Sequence, residues 1–131
     1  MAFPFGAALA TFLAASATPG TAAPAQVVAA QAAVPLIEPV TLKGMMASPL
    51  RFVLVDVRRP EEFAAGHLEG AMLMPLDNLA ATYTQLPRDV KLVVYCRSGH
   101  RSAQAVMFLL QHGYAQAVSL DGGFLAWTAL K

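Results

Sequence analysis

A nearly unbroken apolar run, Val90-Lys91-Leu92-Val93-Val94-Tyr95, ends on Cys96, and a helix-like stretch begins six residues later at Ser102. The run has the pattern of a strand buried on both faces, the usual state of a parallel strand with helices packed above and below it. In the stretch Ser102 to Gln111, residues Ala103, Val106, Met107 and Leu110 recur at i, i+3, i+4 and i+7, with Gly113 placed as its stop. The same alternation runs through the rest of the chain. Thr41 to Ala47 reads as a short helix stopped at Ser48-Pro49, and Arg51 to Val57 as a buried strand. Glu61 to Ala65 reads as a short helix with Pro60 in its first turn, and Ala71 to Met74 as a strand ended by Pro75. Leu76 to Tyr83 reads as a helix, Ala117 to Leu120 as a last strand, and a short helix carrying Trp127 follows Gly122-Gly123. Strands alternating with helices predict an α/β domain with a mainly parallel central sheet flanked by helices. Ligands of such sheets sit beyond the carboxyl ends of strands. Cys96, Asp56 and Asp121 all fall there.

The N-terminal part differs from this pattern. No charged residue or histidine occurs before Glu38, and the stretch from Met1 to Ala17 is rich in Ala and Phe. Two small-residue sites, Ala15-Ser16-Ala17 and Ala23-Pro24-Ala25, lie at or after its end. Residues 1–25 read as a signal peptide without a basic n-region, 26–37 as a low-complexity linker, and 38–131 as the folded domain. The expected location is periplasmic or secreted, with a membrane contact only if the leader stays uncleaved. The hydrophobic share of 56% includes this leader. A net charge of +1 gives no broad basic surface and argues against a nucleic-acid partner. A single cysteine makes no internal disulfide, and no Cys/His cluster has metal-binding spacing, so neither a metal nor a cofactor is expected.

The chemistry points to the loop Cys96-Arg97-Ser98-Gly99-His100-Arg101-Ser102. A thiol just before a helix faces unpaired backbone N–H groups and the positive end of the helix dipole, and both favour the nucleophilic thiolate. A short loop can turn its N–H groups inward as an anion nest. Gly99 supplies the backbone freedom such a turn needs. Arg97 and Arg101 suit the oxygens of a sulfonate-like anion, and Ser98 and Ser102 are candidate helix caps. An inert buried cysteine is the plainer alternative, but it leaves two arginines and a glycine unexplained.

The chain resembles the rhodanese-like sulfurtransferases in their single-domain form. The resemblance runs from about Val40 to Lys131. It is carried by Leu54-Val55-Asp56-Val57-Arg58, Glu62-Phe63, Gly66-His67-Leu68-Glu69-Gly70-Ala71, Pro75, the Cys96 to Ser102 loop, and Gly122-Gly123 with Ala126-Trp127. It implies that Cys96 is a persulfide-forming nucleophile. The substrates it implies are a small sulfur donor such as thiosulfate and a cyanide or thiol acceptor, with a protein thiol as a further acceptor. It implies that Arg97 and Arg101 orient the donor's oxyanion. By the resemblance Ser98, Gly99, His100 and Ser102 join the two arginines as substrate-binding residues, although His100 departs from the Asn expected in this loop. Two rival functions stay open at this level. A cysteine-dependent phosphatase or arsenate reductase is disfavoured because four residues, not five, separate Cys96 from Arg101. A non-catalytic binding module of the same fold is disfavoured because Cys96 and both arginines are present.

Structural support is expected from Asp56, Arg58, Glu62 and His67, with Arg58 and Glu62 at i, i+4 in an ion-pair network. Trp127 and Phe124 read as packing residues. The methionines Met45, Met46, Met72, Met74 and Met107 read as core fillers.

Overall fold

The computed structural model describes residues 34–130; the leader and most of the linker lie outside them. Among these residues five strands form one sheet: β1 (Leu36–Ile37), β2 (Phe52–Asp56), β3 (Met72–Leu73), β4 (Lys91–Tyr95) and β5 (Ala117–Leu120). Their order is β1-β5-β4-β2-β3, and every pairing is parallel. Among the described residues five α-helices alternate with them: α1 (Pro39–Met46), α2 (Pro60–Ala65), α3 (Leu79–Thr82), α4 (His100–Gln111) and α5 (Gly123–Thr128). Single 3-10 turns at Leu76–Asn78 and Tyr83–Gln85 flank α3, so the expected helix from Leu76 to Tyr83 is α-helical only in its middle.

β4 lies at the centre, paired with β2 through Val55↔Val94 and with β5 through Val94↔Ser119. Successive side chains of a strand point to opposite faces, so β4 feeds two cores. Leu92, Val94 and Cys96 face Ala105, Val106 and Leu109 of α4. Val93 and Tyr95 face Leu42, Leu68 and Leu120, with Phe124 and Trp127 packed against them. Trp127 and Phe124 therefore take the packing positions expected of them.

α4 ends in a Schellman arrangement. The Tyr114 N–H donates to the Leu109 carbonyl at 2.9 Å and the Gly113 N–H to the Leu110 carbonyl at 3.4 Å, with Gly113 at φ 93°. That left-handed angle is why a glycine stops this helix. His112, the residue that caps the helix, bonds the Phe108 carbonyl through Nδ1 and stacks on the Phe108 ring.

Three details differ from the sequence reading. Leu36 and Ile37, read as linker, form the edge strand β1, because Leu36 and Ile37 register with Ser119 and Leu120 of β5. Two residues alternate too briefly to reveal a strand. α1 begins at Pro39 rather than Thr41; proline fits the first turn, where its missing N–H costs nothing. Met72 is 41% exposed and fills no core, whereas Met74 is buried.

Candidate active site

Cys96 follows β4 and continues its alternation into the α4 side. The chain then turns sharply, with Gly99 at φ 114°, and enters α4 at His100. Arg101 and Ser102 thus lie inside the first turn of the helix rather than before it. The sulfur occupies the space above that turn. It accepts the Gly99 N–H at 3.0 Å and the Ser102 N–H at 3.4 Å. Ser102 is the third residue of α4, so the sulfur takes the N–H that a side-chain oxygen takes at an ordinary helix start. Neither Ser98 nor Ser102 caps the helix, contrary to expectation, since α4 has no side-chain oxygen cap.

The Ser102 hydroxyl has another role. It accepts from the protonated Cys96 thiol at 3.6 Å and can turn its own proton to the thiolate; it lies 2.8 Å from the Ser119 hydroxyl of β5 and 3.2 Å from the Gly99 carbonyl. Cys96, Ser102 and Ser119 are all buried. Burial pushes the Cys96 thiol up. The N–H and hydroxyl of Ser102 and the amides of Gly99 and Ser98 outweigh it, so the thiol lies below its ordinary range. Local hydrogen bonds are thus the main groups that favour the thiolate, and the charge of Arg101 also attracts it. Arg97 points to solvent, and Arg101 is engaged elsewhere.

The loop is also held from behind. Its outward carbonyls accept from the first turn of α5: Phe124 N–H to Cys96 O at 2.8 Å and Leu125 N–H to Arg97 O at 3.1 Å. With the carbonyls bound there, the loop's N–H groups face the sulfur. Gly123 makes this approach possible. A Cβ at that position would stand 2.5 Å from Arg97 O and 2.6 Å from Cys96 O, and its φ is 63°.

The charged neighbours pair differently from the i, i+4 expectation. Arg58 pairs with Asp56, not Glu62: its Nη2 reaches Oδ2 at 2.7 Å and its Nε reaches both carboxylate oxygens. It also donates to Gly66 O at 2.7 Å, and its guanidinium lies over the Phe124 ring at 4.5 Å. This buried knot ties β2, the end of α2 and α5 together. Glu62 instead holds Arg101 at 2.8 and 3.1 Å and accepts the Arg59 N–H at 3.0 Å. The sequence separation of 39 residues hid that pair. Chiefly through the hydrogen bond from Arg101, the Glu62 carboxyl is held down at about 2, and the same bond raises Arg101.

A cavity of about 290 Å³ opens beside the loop, rimmed by Arg58, Arg59, Glu62, Leu76, Asp77 and Arg101. A smaller one of about 200 Å³ lies on the other side, by Ser98, His100, Ser119 and Asp121. His100 is exposed. His67 is exposed, bonds Phe63 O through Nδ1 at 2.8 Å and stacks on the Phe63 ring. Among the described residues no group of His, Cys, Asp or Glu side chains could hold a metal, and no helix is long and apolar enough to cross a membrane. Sequence reasoning missed Ser119 and Gly123 as supports of the loop. The one hint of Ser119 was a hydroxyl within the otherwise apolar Ala117 to Leu120.

The sequence around this site decides the family: the model of the rhodanese-like domain matches residues 38–130. The chain belongs to the rhodanese-like family. Its rhodanese-like relatives include a sulfurtransferase of Allochromatium vinosum, 37% identical over 91 residues that cover 70% of this chain and 85% of that one. The probable adenylyltransferase/sulfurtransferase MoeZ of Mycobacterium tuberculosis is 40% identical over 93 residues, 70% of this chain but 24% of MoeZ. Among solved structures, a rhodanese-like domain protein from Staphylococcus aureus aligns with TM-score 0.68 and 31% identity, covering 71% of this chain and 90% of that one. The human single-domain sulfurtransferase TSTD1 aligns with TM-score 0.66 and 29% identity, covering 74% and 97%. The rhodanese fold is thus shared over most of the described residues.

Proposed function

We propose that this rhodanese-like chain is a sulfurtransferase that moves a sulfane sulfur from thiosulfate, or a donor of that kind, through a persulfide on Cys96. The observation that carries the reading is the convergence of two backbone N–H groups and one hydroxyl on a single buried sulfur. Such a cradle stabilises anionic sulfur before and after transfer without having to reorganise.

In the first half-reaction the Cys96 thiolate attacks the terminal sulfur of thiosulfate. A new S–S bond forms, the donor's S–S bond breaks, and sulfite leaves with the bonding electron pair. In the second, cyanide or a thiolate attacks the outer sulfur of the persulfide. Thiocyanate or a new persulfide departs, and the Cys96 thiolate returns. No external oxidant or reductant is needed in this double displacement. Arg97, free in solvent, and Arg101, at the rim of the larger cavity, are assigned to the donor's oxygens. Cyanide, a small thiol and a protein thiol all satisfy the second step. The apolar, Ala-rich leader with its two small-residue sites supports export to the periplasm or outside the cell as part of the same proposal.

Thiocyanate formation from thiosulfate and cyanide tests the reading. Turnover by the intact chain that disappears in Cys96→Ser supports it. Hydrolysis of an aryl phosphate faster than sulfur transfer contradicts it.

A further inference from the structure

The ion pair at the rim of the larger cavity has a consequence for the choice of donor. Arg101 follows the loop directly, in the first turn of α4, yet its charge is not free. Glu62 engages both terminal nitrogens of its guanidinium, at 2.8 and 3.1 Å. A guanidinium carries five N–H donors. Two are used here, so its remaining edge stays able to meet an oxyanion while its plane is held. The pair is only partly exposed, with side chains 33% and 26% accessible. Around the same cavity the rim also carries Arg59 and Asp77, one charge of each sign, and Arg58 is already neutralised by Asp56. Counting Asp56 behind Arg58, the three arginines and three carboxylates at the rim sum to no net charge while Glu62 is in place. Without it, one positive charge stands uncompensated at the cavity rim.

We infer that Glu62 is a specificity-determining residue that sets which donor charge the site prefers, by fixing Arg101 in place while cancelling its charge. This rests on the sulfurtransferase reading above. In that setting a donor is oriented by hydrogen bonds from Arg101 more than it is attracted by charge. A monoanionic donor then loses little against a dianionic one. Removing the Glu62 charge favours the dianion selectively, because the added attraction scales with the charge of the donor.

The test compares thiosulfate, a dianion, with methanethiosulfonate, a monoanion with the same terminal sulfur. The quantity read is the ratio of their kcat/KM values. In Glu62→Gln the ratio should rise in favour of thiosulfate by about 3- to 10-fold at low salt and shrink toward wild type at high salt. Glu62→Asp, which keeps the charge, should stay within about twofold of the wild-type ratio. Glu61→Gln removes a neighbouring charge that does not line the cavity and should leave the ratio unmoved. An unchanged or reversed ratio in Glu62→Gln, or an equal rise in Glu61→Gln, overturns the inference. Failure of the underlying reading looks different: wild-type Cys96 then gains no sulfur from either donor, and both claims fall together.

Discussion

The Ser102 hydroxyl stands 3.6 Å from the Cys96 sulfur, and the N–H of the same residue stands 3.4 Å from it. One residue of α4 therefore supplies two of the contacts that hold the nucleophile. Ser119 holds that hydroxyl from the neighbouring strand at 2.8 Å.

Removing the hydroxyl separates these two contacts. In Ser102→Ala the thiol should titrate higher than in wild type, because a group that lowers it is gone while burial remains. The pH dependence of iodoacetamide alkylation at Cys96 reads this directly. Sulfur transfer should fall about 10-fold. Ser119→Ala should move both quantities in the same direction by less, since Ser119 acts only through Ser102. An alkylation midpoint in Ser102→Ala equal to that of wild type would show that the amides alone set the thiol.

Gly123→Ala tests how the loop is held from behind. The added Cβ meets the carbonyls of Cys96 and Arg97 at 2.6 and 2.5 Å, and the position has φ 63°. Neither the backbone of the loop nor that of α5 gives way cheaply. The substitution should cost about 2–4 kcal/mol in denaturant unfolding and displace the cradle. Activity should fall further than stability explains, even at temperatures where the variant is fully folded.

The Asp56–Arg58 pair makes a prediction about folding rather than chemistry. Both residues are almost wholly buried. Arg58→Met leaves the Asp56 carboxylate in the interior without its partner, a loss of about 3–5 kcal/mol. The double variant Asp56→Asn with Arg58→Met should recover part of it, because no uncompensated charge is left behind. Urea unfolding of the three proteins checks this.

The Glu62–Arg101 pair has a defined pH window. The Glu62 carboxyl lies at about 2 in the folded protein against an ordinary 4.5. A depressed carboxyl contributes stability fully above its unfolded value and loses it as pH falls toward the folded one. The stability difference between wild type and Glu62→Gln should therefore be flat above about pH 5 and shrink below it. A difference that grows on acidification would mean that the pair is not what holds Glu62 down.

Much of this was legible in the chain because the carriers are local. The apolar run before Cys96, Gly99 behind it and the periodic stretch after it sit side by side, and together they define strand, turn and helix. Pro60 and Gly113 mark the start of α2 and the end of α4 for reasons of backbone geometry alone. What stayed hidden is what the sheet brings together. Glu62 meets Arg101, and Ser119 meets Ser102, only after β2, β4 and β5 pair. Gly123 matters only because α5 packs its first turn against the loop carbonyls. Arg58 and Glu62 have the spacing of a helix pair. Arg58 lies before α2 begins, however, and the nearer Asp56 captures its guanidinium inside the core.

The state of Cys96 after exposure to a donor distinguishes a persulfide carrier from an inert thiol. Intact mass of the wild-type protein, incubated with thiosulfate without reductant, should show the gain of one sulfur atom on Cys96, removed by cyanide with release of thiocyanate. Oxidation to a sulfinic acid adds nearly the same mass but resists cyanide. A Cys96 that stays unmodified, or an added mass that cyanide leaves in place, would contradict the persulfide mechanism.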